Sequence, residues 1–235
     1  MTAPVADVLE SEAAALAVAL GRASEQDAGR ATRCAPLTVA ALLGHVRVTL
    51  RALGPMLAAP EPEREPRPAG PGVAVRVGAA EYYRPDGRFS PETDARRLAA
   101  AVAAGAEHPA LPAQVAAWGA EVAVLLAAVR QGDRGEDRLV VTRHGDVMVL
   151  ADFLVTRVLE VAVHGIDLAD ALGAPRWTTA AAATLLRALH LDGPLPEGVA
   201  DDVAFLGLVT GRDPASPLQR EALSRAGVRL LVLAG

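Results

Sequence analysis

Asp152-Phe153-Leu154-Val155-Thr156-Arg157-Val158-Leu159-Glu160-Val161-Ala162-Val163-His164-Gly165-Ile166-Asp167-Leu168 is the stretch that decides how this chain folds. Apolar residues fill most of its helical circumference, which predicts a helix buried on nearly all sides. Arg157, Glu160, His164 and Asp167 recur at steps of three, four and three, so they share one narrow stripe. A polar stripe on a buried helix is costly unless its groups are paired or bound to something. Glu160 and His164, at i and i+4, can both point at one metal ion. Asp152 is the expected cap of this fourth helix, and Gly173 before Pro175 ends it near Leu172.

A second helix offers a partner. Thr38 is its expected N-cap, and helix-forming apolar residues run from Val39 to Leu57. Arg47 and Arg51 project roughly 200–240° away from His45 at about 100° per residue. If the arginines face water, His45 faces the interior. A histidine from one helix and a Glu-x-x-x-His pair from another make three N/O ligands with a coordination position left over. That is the pattern of a catalytic metal site, and by ligand type it suits zinc, nickel, cobalt or iron(II). The plainer arrangement is a buried Arg157–Glu160 salt bridge, with both histidines bonded to backbone or side chains.

Outward from these helices, Val5, Val8, Leu9, Ala13, Leu16 and Leu20 predict a first helix over residues 4–27. Five prolines between Pro60 and Pro71, interleaved with Glu61, Glu63 and Glu65, predict an extended loop over 58–90, with Tyr82 and Tyr83 near its end. Ser90-Pro91 starts a third helix that runs to Gln131 in two pieces, broken at Pro109 and Pro112. Residues 138–150 read as a small β-hairpin around Gly145. The remainder predicts helices near 178–190, 198–210 and 216–226 and a terminal strand over 228–233. The expected fold is thus mainly α: a metal-binding bundle over 1–173 and a small α/β extension over 174–235. His144, Arg143, His108 and His190 are expected at the surface.

Of the 235 residues, 51% are apolar and 22% charged, which excludes disorder across the whole chain. A net charge of −5 argues against a partner held by nucleic-acid phosphates. The chain has no lysine, hence no Walker A lysine and no Schiff base to pyridoxal phosphate. It has no asparagine and one isoleucine, a pattern that suits a high-GC bacterial genome. Cys34 is the single cysteine, so no internal disulfide forms. It lies outside the ligand stripe and reads as a packing residue. No run of 18 uninterrupted apolar residues occurs, and acidic residues follow directly on the first few positions, which predicts a cytoplasmic protein with no membrane partner.

Two segments resemble a known family. Pro36-Leu37-Thr38-Val39-Ala40-Ala41-Leu42-Leu43-Gly44-His45-Val46 and Thr156 to Leu168 are similar to the two motifs of the mycothiol-dependent maleylpyruvate isomerase family, part of the DinB-like superfamily. The resemblance covers roughly residues 5–173. It implies a four-helix bundle and a divalent metal, usually zinc, held by His45, Glu160 and His164. It also implies mycothiol as a thiol cosubstrate, used for isomerisation or S-transfer on a small electrophile. Leu37 stands where the family often has tryptophan, and the last 60 residues do not match the isomerase's own C-terminal part. Arg157 is expected to orient Glu160 or to bind a substrate carboxylate. Asp167 is expected to bond a histidine's free ring nitrogen or to cap a neighbouring helix. The alternative function is a non-catalytic or regulatory metal-binding bundle. A monomer or a homodimer is expected.

Overall fold

A computed structural model describes residues 3–62, 76–108, 110–132 and 134–231. The four bundle helices are α1 (Val5–Leu20), α2 (Val39–Arg51), α5 (Leu111–Gln131) and α6 (Leu150–Leu172). α1 packs against α5 and α6, and α2 packs against the same two, so the four close a ring around one apolar core. The short α3 (Leu53–Ala58) continues from α2, and α4 (Pro91–Ala106) lies on the outer side of α2. The two pieces expected of the third helix therefore do different jobs: only α5 is a bundle helix.

Local chemistry sets the ends. The Thr38 hydroxyl accepts from Ala41 N at 3.4 Å and starts α2. Ser90 caps α4 with Pro91 in its first turn. The carboxylate of Glu136 accepts from Val5 N and Ala6 N at 2.9 and 2.6 Å, which satisfies two of the orphan donors of α1. Gly173, at φ 66°, ends α6 in the left-handed conformation that favours glycine. The expected cap at Asp152 is not formed: α6 begins two residues earlier, directly from the hairpin, and Asp152 lies in its first turn. The hairpin pairs β1 (Leu139–Val141) with β2 (Val147–Val149) in antiparallel register. α1 stops at Leu20, and Glu25–Gly29 is a separate 3-10 turn.

α2 and α4 touch backbone to backbone at Gly44 and Gly105. A Cβ on Gly44 would sit 2.5 Å from the Gly105 nitrogen and closer still to the Ala101 carbonyl oxygen. Neither atom can move aside as a side chain could. Gly44→Ala is therefore expected to cost about 1–3 kcal/mol by overpacking, read as a lower midpoint in chemical denaturation. An unchanged midpoint would mean that the two helices separate freely.

Arg47 corrects an expectation. It does not face water but is 0% exposed, bonded to Glu107, Glu121 and the Ala104 carbonyl between α2, α4 and α5. Bidentate carboxylates make that burial tolerable. Arg51 is half-buried and shares the same two glutamates. His45 faces the interior as expected, but because it lies opposite this ionic seam rather than opposite solvent.

α5 is long and apolar enough to cross a membrane by length and composition. Here one of its faces lines the bundle core, with Trp118 Nε1 donating to Ala13 O at 3.0 Å and Glu121 paired to Arg47.

Residues 174–231 form α7 (Ala180–His190), α8 (Asp202–Val209) and α9 (Pro217–Arg225). α7 packs on α1 and α6, and Glu12 of α1 accepts from Thr179 N at 2.8 Å. The expected terminal strand is not formed over 228–231, which has no strand partner among the described residues; positions 232–233 lie outside them. Val228–Leu231 is instead tied back by Arg229 N to the His190 carbonyl. Residues 63–75 of the loop expected over 58–90 also lie outside the described residues.

Candidate metal centre

His45 projects from α2 and Glu160 and His164 from α6 into one buried cleft. His45 Nε2 stands 3.5 Å and His164 Nε2 3.4 Å from the same Glu160 oxygen, and the donor atoms of the three all lie within 4.8 Å of one another. These spacings are long for strong hydrogen bonds. They suit ligands of one ion: two atoms each about 2.0–2.1 Å from a tetrahedral metal stand about 3.3–3.4 Å apart. Among the described residues, no further histidine, cysteine or acidic side chain joins this triad.

Asp167 stands directly behind. Its Oδ2 is 3.0 Å from His164 Nδ1, which turns Nε2 towards Glu160. A carboxylate on the far nitrogen of a ligating histidine sets tautomer and ring orientation. Asp167 is itself held by Arg212, whose Nε and Nη2 donate at 3.0 and 2.9 Å, and by the Cys34 thiol at 3.3 Å. The expectation that Asp167 bonds a histidine's free nitrogen matches this geometry. Cys34 does not: it is part of the network around His164, not a bystander. Leu37, one turn away, is buried beside it and lines a cavity that also touches His45 and His164.

The charges follow from these contacts. Burial would raise the Glu160 carboxyl, but hydrogen bonds from both histidines and the charge of Arg157 hold it well below the usual range. Burial pulls His164 down, yet bonds to Asp167, Cys34 and Glu160 outweigh it and hold His164 well above its ordinary value. Burial dominates at His45, which is lowered. A ligating His164 must present a deprotonated Nε2, so ion binding there competes with the proton that Glu160 and Asp167 favour on the ring.

Arg157 is 4% exposed and makes no ion pair with Glu160 or any other carboxylate among the described residues. Its Nη1 donates to the Thr49 carbonyl and its Nε to Thr156 Oγ1, both at 3.1 Å, and the guanidinium lies over the rings of Phe153 and Tyr82. The expected Arg157–Glu160 bridge is thus absent, since the Arg157 side chain turns away to Thr49 and the ring of Phe153.

Tyr82 and Tyr83 are packed on the bundle and also line the cleft. Tyr83 donates its hydroxyl to the Thr156 carbonyl at 3.2 Å. Their segment is fastened by Val77 N to Val147 O and by Arg84 and Arg88, which both pair with Asp146 of the hairpin turn. His144, expected at the surface, is half-buried and lines the cleft, its ring 5.8 Å from that of Tyr82. Burial and the neighbouring cations Arg143 and Arg88 depress it to about 4, so it is neutral at pH 7. Arg143 is exposed at the rim and His108 half-buried, but His190 is fully buried and bonded to the Arg229 carbonyl.

Arg212 was invisible to spacing arguments, because nothing in Gly211-Arg212-Asp213 announces a partner 45 residues away. For Cys34, too, no periodic signal exists, since it lies in a loop.

A helical bundle with a small hairpin and a His/Glu/His cluster on two of its helices is the DinB-like class of fold. The family model for the mycothiol maleylpyruvate isomerase N-terminal domain matches residues 9–169, and the chain belongs to this family. Comparisons with curated proteins and with solved structures found no match. The family match ends within α6, and Arg212 lies beyond it.

Proposed function

We infer that this protein is a metal-dependent enzyme that uses a low-molecular-weight thiol, mycothiol by its family, as nucleophile on a small electrophile. The outcome is isomerisation if the thiol leaves again, or S-transfer if it stays. The observation that carries this reading is the convergence of His45 Nε2, Glu160 Oε2 and His164 Nε2, with no fourth side-chain ligand among the described residues. Three protein ligands and an open position mark catalytic rather than structural zinc sites.

A zinc ion bound there supplies positive charge that lowers the pKa of a thiol and keeps it as thiolate near neutral pH. His45, Glu160 and His164 hold that ion. Asp167 positions His164 and balances its charge, so it is a positioning residue. Arg157 offers a buried cation with no carboxylate in ion-pair contact among the described residues, suited to an anionic group of the electrophile. Tyr82 and Tyr83 roof the cleft and exclude water. In this reading the partners are small molecules, the location is the cytoplasm, and the bundle of 1–173 carries the chemistry while 174–235 buttresses Asp167.

The test uses cobalt-loaded protein. Addition of mycothiol or a simpler thiol is expected to produce a sulfur-to-cobalt charge-transfer band in the near ultraviolet, absent in His45→Ala. A spectrum indifferent to a large thiol excess would favour the non-catalytic, metal-binding alternative instead.

A further inference from the structure

Arg157 lies on the boundary between two cavities. One is the cleft at His45, Glu160 and His164. The other is a chamber of about 250 Å³ between α2, α3, the hairpin and the start of α6, lined by Ala52, Pro55, Met56, Val141 and Phe153. Tyr82, Thr49 and Arg143 border both. The chamber's wall is mainly apolar, whereas the cleft is crowded with charged groups. A cavity of about 150 Å³ with apolar walls is enough to take up benzene. The chamber is therefore large enough for a phenyl ring or a branched alkyl group.

The cation at the boundary is equally specific. Among the described residues, Arg157 hydrogen-bonds neutral oxygens of Thr49, Thr156 and Tyr82 and stacks on Phe153, which itself lines the chamber. A buried guanidinium without a carboxylate is costly. The flat fork of its N–H groups matches a carboxylate.

We propose that the chamber is a specificity pocket, and that the electrophile is a carboxylic acid whose carboxylate meets Arg157 while an aryl or branched alkyl substituent fills the space beside Met56 and Phe153. That the bound acid is an electrophile rests on the function proposed above; its binding geometry does not. An acid with no apolar substituent leaves the chamber to water. An apolar molecule with no carboxylate leaves the buried cation unpaired. Both parts are needed, and neither involves the triad.

Three unreactive probes separate the parts: 3-phenylpropanoate, propanoate and 3-phenylpropanamide. Calorimetric or ligand-observed NMR titration of the full-length protein is expected to show 3-phenylpropanoate binding at least tenfold more tightly than either of the others. Ala52→Phe, which fills the chamber from the half-buried turn between α2 and α3, is expected to reduce 3-phenylpropanoate to the level of propanoate. Arg157→Met is expected to abolish the preference for acid over amide while leaving the amide's own affinity in place. Equal affinities for the three probes on wild-type protein, or no binding of any, would overturn the proposal without reference to a variant. Metal content measured on the same preparation keeps the two readings apart. Bound metal without preference for the phenyl acid sinks the chamber alone, and phenyl-acid preference without metal uptake leaves the chamber standing and sinks the metal centre.

Discussion

His164→Ala protein, purified without chelators, is expected to lose nearly all of the metal that the wild-type chain holds at about one ion per molecule. The substitution removes one of three ligands and leaves Asp167 with nothing to orient. Loss of an outer partner alone typically costs about 10–100-fold in metal affinity, and loss of a ligand costs more. Elemental analysis of both proteins is the measurement. His108→Ala, at a half-buried histidine that is not one of the triad, is the control and should keep the full complement. Equal and near-zero metal in wild type and His164→Ala would show that the triad is an ordinary buried hydrogen-bonded cluster.

Asp167→Ala is expected to be the most destabilising single change near the centre. The carboxylate is 0% exposed and anchors Arg212, itself 8% exposed, together with His164 and Cys34. Removing it leaves the buried Arg212 guanidinium without its counter-charge and His164 with Glu160 as its one remaining carboxylate neighbour among the described residues. Stripping one partner from such a network costs about 3–5 kcal/mol. In a chain of this size each kcal/mol lowers the midpoint by roughly 2–4 °C, so a fall of about 6–20 °C is expected. Thermal unfolding of the metal-free proteins isolates this effect from loss of the ion. The sign of its pH dependence also follows. Burial would raise Asp167, but the bonds from His164 and Arg212 hold it below the ordinary carboxylate range. Its contribution is therefore fully present above about pH 3.9 and is lost as the pH falls towards the folded value. An unchanged midpoint in Asp167→Ala would mean that Arg212 is solvated and the network contributes little.

The helices and the triad were legible in the sequence because both rest on periodicity. The stripe of Glu160, His164 and Asp167 repeats at helical steps, and helical steps fix relative direction before any packing is known. Thr38, Ser90, Pro91 and Gly173 mark helix ends through backbone chemistry that is local. His45 was placed correctly on a premise that failed: Arg47 is not a solvent-facing residue but the centre of a buried seam with Glu107 and Glu121. Helical angle says which residues face apart; it does not say whether the far side is water or a fourth helix.

Only the tertiary structure decided what surrounds the triad. The i,i+3 spacing of Arg157 and Glu160 allowed a salt bridge, yet the guanidinium turns to Thr49 of another helix and to the ring of Phe153. Arg212, Cys34 and Asp167 come from three segments distant in the chain, and no local pattern couples them. Their meeting depends on how the residues after α6 fold back over its C-terminal half. The strand expected at 228–233 fails for the same reason. β-prone residues make a strand only when a partner edge is supplied, and over the described 228–231 the fold supplies ties to Leu223 and to both the backbone and the ring of His190 instead.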